Sequence, residues 1–372
     1  MRPSKSILIC SICLIIISTA CGASPETILG DQTNPDVNNS LLSREQPKGD
    51  RKLEIHITEP ENGNYDKALG LAKDLGSESV SLSIFWDDLE ISPGVYAPDP
   101  NWLEIANLYY PPQGMKVSLV ISVLDTTEKR VPDSIQSYSF SDPVLISAFK
   151  SLLDYIKTQI PDLELESLAI GNEIDGVLGN DPLAWDEYSV FFREVADYAR
   201  GVWPDVPVGT KIMFSGHTGQ MAQSAQVINK AADIVMVTYY PLEGDFSVQD
   251  PAIVMEDFDL ISELYSNREI HISEIGYPTS EVNQSSPERQ ADFIRYMFQA
   301  WDKNEEQITN LSYSWLTDLP DSSVQELENY YGLSDPEFAE FLRTLGLRTY
   351  PENGKDKLGF QAFLAEIKAR GW

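Results

Sequence analysis

The sequence predicts an α/β fold, a (β/α)8 or TIM barrel, and three observations carry the prediction. Eight short apolar, β-branched runs recur along residues 51 to 372. Most stretches between them carry a helical stripe, the alternation that builds a parallel sheet. The roughly 320 residues involved suit eight such units with insertions. An open doubly wound sheet is the rival, because alternation alone does not show closure. No Gly-rich loop of the G-x-G-x-x-G or Walker type follows an early strand, which weakens that rival.

The expected strands are Leu53–Ile57, Val80–Phe85, Lys116–Val123, Leu165–Gly171, Val208–Phe214, Ile234–Thr238, Ile270–Ser273 and Leu311–Trp315. Between them, Phe149, Leu152, Leu153, Ile156 and Ile160 keep one helical face, as do Ile294, Met297, Phe298 and Trp301, so both faces are expected to pack on a sheet. Asp142-Pro143, Ser286-Pro287 and Asp335-Pro336 each place a capping side chain before a first-turn proline. No repeat or second linker divides residues 51–372, so one catalytic-sized domain is expected there.

The preceding residues read differently. Residues 1–20 carry Arg2 and Lys5, then an apolar run from Ile7 to Ile17, then Ser18-Thr19-Ala20 before Cys21, the pattern of an export signal. The small residue before Cys21 resembles the lipobox of bacterial lipoproteins, which implies cleavage after Ala20 and a lipid anchor on Cys21. Ser18 departs from that motif, and plain secretory cleavage near Ala20 to Ala23 is the alternative. Residues 21–50 are polar and rich in Pro, Gly and Asn, as a tether would be.

Composition excludes several classes. With 58 Asp and Glu against 27 Lys and Arg, the net charge is -31, which disfavours nucleic acid and anionic membrane surfaces; membrane contact is expected only through the anchor. All three cysteines, Cys10, Cys13 and Cys21, precede the domain, so it holds no disulfide or thiolate chemistry. His56, His217 and His271 lack zinc-site spacing, and no metal or cofactor is expected. A monomer is expected.

In a barrel the chemistry sits at the carboxyl ends of the strands. Here those ends read Phe85-Trp86-Asp87-Asp88, Asp125, Gly171-Asn172-Glu173, Tyr239-Tyr240, Ser273-Glu274-Ile275-Gly276-Tyr277 and Trp315-Leu316-Thr317-Asp318. Two glutamates among aromatic residues fit glycoside hydrolysis. One carboxyl protonates the leaving oxygen while the other meets the charge at the anomeric carbon. Trp86 and Trp315 are read as flat platforms for a sugar, and His217 as facing the cleft. Asp87, Asp88 and Asp125 suit either sugar hydroxyls or loop caps. No Arg or Lys cluster stands at the strand ends, so a neutral carbohydrate is the expected partner.

Leu168-Ala169-Ile170-Gly171-Asn172-Glu173-Ile174 resembles the strand-four signature of clan A glycoside hydrolases, and Ile272-Ser273-Glu274-Ile275-Gly276-Tyr277-Pro278 resembles their strand-seven motif. The wording is most similar to arabinogalactan endo-β-1,4-galactanases, then to endo-β-1,3-glucanases. The resemblance implies a retaining enzyme with Glu173 as acid/base, Glu274 as nucleophile and Asn172 as donor to the sugar 2-hydroxyl. It also implies that Tyr239 or Tyr240 holds the nucleophile and that Trp315 lies beneath the sugar. The same likeness suggests endo action on an extracellular polysaccharide or oligosaccharide, while a closed pocket would indicate exo action instead. A non-catalytic glycan-binding lipoprotein and a transglycosylase are the alternatives. Trp86–Tyr110, Asp125–Ser141, Asp175–Trp185 and Thr317–Asp335 are long enough to shape the cleft.

Overall fold

A computed structural model of the chain describes residues 46–57, 63–350 and 354–372. The export signal, Cys21 and all but the last residues of the tether lie outside the described residues. Every expected strand is present: β1 Lys52–Ile55, β2 Ser79–Phe85, β3 Lys116–Asp125, β4 Leu165–Asn172, β5, β6 Val235–Tyr239, β7 Ile270–Ile275 and β8 Ile308–Tyr313. β5 comes in two pieces, Val208–Gly209 and Lys211–Met213. The first piece pairs with β4 and the second with β6, all parallel. The ring therefore runs β1 to β8 and closes through Thr210, with β8 pairing parallel to β1.

Helices follow the strands in turn: α1 Tyr65–Asp74, α2 Trp102–Tyr109, α3 Pro143–Gln159, α4 Pro182–Val202, α5 Ala222–Asn229, α6 Ile253–Leu264 and α7 Pro287–Lys303. After β8 come α8 Asp321–Tyr331, α9 Pro336–Thr344 and α10 Leu358–Arg370. Asp142, Ser286 and Asp335 cap α3, α7 and α9 through the N–H groups of Val144, Arg289 and Phe338. The expected stripes, Phe149 to Ile156 on α3 and Ile294 to Trp301 on α7, are fully buried between helices and barrel.

The barrel interior is less apolar than the helix–sheet layer. Val120, Ala169, Ile234 and Met236 form a small cluster of their own, apart from the main core. Glu54, Ser118, Lys211, Asn310 and Ser312 line a tiny enclosed space with Val120, Ala169 and Met236. Inward polarity explains why β8 starts three residues earlier than its apolar run suggests: Asn310 belongs to the strand but not to the hydrophobic pattern.

The amino ends of the strands are closed by a buried ionic clasp. Arg51 Nη1 donates to Asp302 Oδ1 at 2.8 Å, and Arg370 Nη2 to Asp302 Oδ2 at 2.6 Å. The Lys48 N–H donates to the Arg370 carbonyl at 2.8 Å, and the Arg51 guanidinium lies 5.0 and 5.3 Å from the rings of Trp301 and Trp372. The start of the domain is thus bound to its last helix on the face opposite the strand carboxyl ends.

Candidate active site

The end of β4 is set by backbone geometry. Gly171 has φ +85°, and a Cβ there would lie 2.4 Å from the Tyr188 hydroxyl and 2.5 Å from Ile174 Cγ2, so no larger residue fits. Glu173 follows at φ 44°, ψ 49°, a left-handed conformation that costs a non-glycine residue about 1–3 kcal/mol and is concentrated at functional sites. Its Oε1 accepts from Thr238 Oγ1 at 2.8 Å and its Oε2 from Thr126 Oγ1 at 2.7 Å.

From β7, Glu274 enters the same enclosure. Its Oε1 accepts from Lys211 Nζ at 2.9 Å and its Oε2 from the Tyr240 hydroxyl at 3.1 Å. The two glutamates meet through β6: Thr238 holds Glu173 and stands in register with Glu274. Burial raises the Glu274 pKa. The Lys211 ammonium opposes that rise, the Glu173 carboxylate adds to it, and His56 opposes it. His56 reaches the site from β1, with Nε2 3.2 Å from Glu54 and Nδ1 3.3 Å from Ser314 Oγ.

Asn172 is completely buried, and neither end of its amide has a protein hydrogen-bond partner, although it lies close enough to Asp125 to oppose the burial shift of that carboxyl. The Trp315 indole Nε1, equally enclosed, is also unpartnered. An unmet buried polar group costs about 1–3 kcal/mol, so these two ask for an explanation.

Three expected site residues lie elsewhere. Tyr239 points out of the barrel, where its hydroxyl donates to Asp257 on α6 at 2.6 Å; strand alternation sends Thr238 and Tyr240 inward and Tyr239 outward. Trp86 is core, not platform: it packs edge-on against Phe149 of α3 and donates Nε1 to Glu90 at 2.7 Å. The aromatic that faces the mouth is its neighbour Phe85, stacked on Tyr330. His217 also faces away from the cleft, with Nδ1 2.7 Å from the Tyr265 hydroxyl and Nε2 3.2 Å from the Met236 carbonyl, and burial lowers its pKa to about 4. Asp87 takes up Arg130 at 3.0 Å.

The mouth is covered. Glu173 and Glu274 are each 0% exposed. Tyr330 of α8 donates to Asp125 Oδ2 at 2.6 Å, and its neighbour Tyr331 lies by Thr126, Asp125 and Glu173. Phe341 of α9 meets Tyr240 edge-on. Arg130 sits 3.8 Å over the Phe85 ring and 5.9 Å from that of Tyr330. The segment expected to be a cleft-shaping loop, Thr317–Asp335, is in large part the helix that forms this cover.

Sequence reasoning missed Lys211, Thr126, Thr238, Arg130 and Tyr331. Lys211 had a signal: a lone charge in an otherwise apolar expected strand. Lys211 and Arg130 are single cations, each paired with a carboxylate, Glu274 and Asp87 respectively. Among the described residues no group of His, Cys, Asp and Glu is arranged to hold a metal ion, and no helix is long and apolar enough to cross a membrane.

No family model matches the sequence, and no curated protein does. Solved structures do match in fold. The exo-β-1,4-mannosidase Op5Man5 from Opitutaceae bacterium strain TAV5 is 17% identical, with a TM-score of 0.67 over 86% of this chain and 59% of that one. The chain therefore spans less than two thirds of that mannosidase. A GH5_18 protein from Bifidobacterium longum subsp. longum is 14% identical, with a TM-score of 0.65 over 86% and 79%. A β-glucosidase from Exiguobacterium marinum is 12% identical, with a TM-score of 0.61 over 87% and 99%. The barrel is one that glycoside hydrolases share. At these identities the likeness concerns the fold.

Proposed function

We propose that the chain is a retaining β-glycosidase acting on neutral β-linked hexosides. The observation that carries this reading is the pair of enclosed carboxylates at the ends of β4 and β7, differently held and coupled through Thr238 and Tyr240. Two adjacent carboxylates do not both ionise readily, and Glu274 is the one with the ammonium partner, so Glu173 carries the proton. Glu274 attacks the anomeric carbon. The bond to the leaving oxygen breaks with its electron pair, and Glu173 gives that oxygen its proton. Glu173, now a carboxylate, deprotonates the water that releases the sugar. The unpartnered Asn172 amide is suited to the sugar 2-hydroxyl, and Trp315 to the sugar face.

The cover supports a pocket that takes a chain end, and therefore exo action in place of the endo action suggested by the motif wording. That wording keeps β-galactan first among the substrates, with β-mannan and β-glucan beside it. Export and acylation at Cys21 complete the proposal, giving access to polysaccharide outside the cell.

The test is product release by the full chain from galactan, mannan, β-1,3-glucan and xylan, and from matching aryl β-glycosides, followed by NMR. Release of the β-anomer, lost in Glu274→Ala, is the expected result. An α-anomer first product overturns the nucleophile assignment. The contact of Tyr331 with the Glu173 side of the site favours one second reading, a glycan-binding protein without turnover. Binding to a glycan on the panel with no release by folded protein would establish it.

A further inference from the structure

We infer that Lys211 is a positioning residue for this reaction, holding Glu274 ionised and aimed from inside the barrel and keeping the enclosure neutral, where it would otherwise carry a net negative charge, while the glycosyl–enzyme bond forms. The inference rests on the reading of Glu274 as nucleophile. Four groups face Glu274: Lys211 from β5, Tyr240 from the end of β6, Glu173 from β4 and His56 from β1. Lys211 and Glu274 are 4% and 0% exposed at the side chain, so their 2.9 Å pair is withdrawn from bulk solvent and little screened by salt. With Lys211 on one oxygen and Tyr240 on the other, the carboxylate cannot turn, and its plane is fixed before a sugar arrives.

A purely structural role is a poor explanation. An ion pair withdrawn from water is weak evidence for stability, since its desolvation offsets much of the attraction. The same barrel holds Glu54 with serine hydroxyls and a histidine and uses no lysine. What the ammonium adds is charge. At rest the enclosure holds Lys211 positive, Glu274 negative and Glu173 protonated, a sum of zero. When the Glu274 oxygen bonds to the anomeric carbon it becomes a neutral ester, and the Glu173 proton leaves with the alcohol. The negative charge has moved to Glu173, Lys211 is still positive, and the sum is still zero. Without Lys211 the same step would move an uncompensated anion through a site withdrawn from bulk water.

The test needs no substrate. Full-chain protein carrying 13C at the glutamate carboxyl carbon is titrated by NMR, with Glu274 assigned by its loss in Glu274→Gln. In Lys211→Met the Glu274 midpoint should rise by about one to three pH units, the range for an adjacent opposite charge. If Lys211→Met does not fold, the reciprocal measurement serves: the Lys211 15Nζ midpoint should fall in Glu274→Gln relative to wild type. A Glu274 midpoint unmoved in folded Lys211→Met, or an unmoved Lys211 midpoint in Glu274→Gln, overturns the inference. An aryl β-glycoside then separates the two readings. Hydrolysis whose acidic limb rises in Lys211→Met, with kcat reduced and KM little changed, supports both. A shifted titration in a protein that hydrolyses no glycoside on the panel keeps the ion pair's effect on Glu274 and sinks the catalytic role for it.

Discussion

Two buried carboxylates share the interior of this barrel and are held in opposite ways. Glu54, at the amino-terminal side, accepts from Ser79 and Ser118 at 2.7 Å each, from Ser312 at 3.0 Å, and meets His56 at 3.2 Å. Burial pushes its pKa up, but the hydrogen bonds and charge of His56 and the serine hydroxyls more than offset this, and the net shift is downward. Glu274, at the carboxyl-terminal side, is equally buried but has only Lys211 and Tyr240 as direct partners, and its pKa is raised. Burial alone does not set the direction in which a buried carboxylate's pKa moves. The number of donors around it does, because each donor stabilises the ionised form against desolvation.

The contrast breaks if both glutamates respond alike to truncation. Glu274→Ala should lower kcat by about 10⁴-fold, roughly 5.5 kcal/mol of transition-state stabilisation, with the urea midpoint little changed. Glu54→Ala should do the reverse. It strands His56 and the serine hydroxyls and should cost about 3–5 kcal/mol in urea unfolding, with kcat of the folded fraction near wild type. Loss of activity in Glu54→Ala with full stability would erase the distinction.

Acid and neutral pH sharpen it. The lowered pKa of Glu54 means that its contribution is present above the unfolded-state value and lost as pH falls through the folded value. Asp175, just past Glu173, is the opposite case: burial raises its pKa to about 7, offset only in part by the Met213 N–H. Its contribution is full below the unfolded value of about 3.9 and is lost as pH rises through 7. Asp175→Asn should therefore flatten the decline in stability between pH 4 and 7, measured by urea unfolding across that range. The smallest effect is expected at the cover. Tyr330→Phe removes one hydrogen bond to a buried carboxylate and should cost about 1.5–3 kcal/mol locally, seen as faster amide exchange in α8.

The same contrast explains what the sequence reveals. Outward strand faces meet helices everywhere, so their apolar pattern is complete and all eight strands are readable. Inward faces carry Glu54, Lys211, Asn310 and Ser312, so the ends of β8 and the break at Thr210 are not. Gly171-Asn172-Glu173 is legible because its backbone admits so few residues. Phe85 against Trp86, and Tyr240 against Tyr239, are decided by register, which a single strand does not disclose. Tyr331 reaches Glu173 from a helix more than 150 residues further along the chain, and no local pattern announces it.

The clasp of Arg51, Asp302 and Arg370 fixes more than the ends of the fold. Residues 46–51 join the barrel on the side away from the glutamates, so the chain enters the fold at the pole opposite the candidate site. On the proposal that Cys21 carries a lipid, the two dozen or so intervening residues reach at most about 80 Å and join the fold at the pole opposite the candidate site. Entry and candidate site thus occupy opposite poles, a separation set by three side chains far from either glutamate.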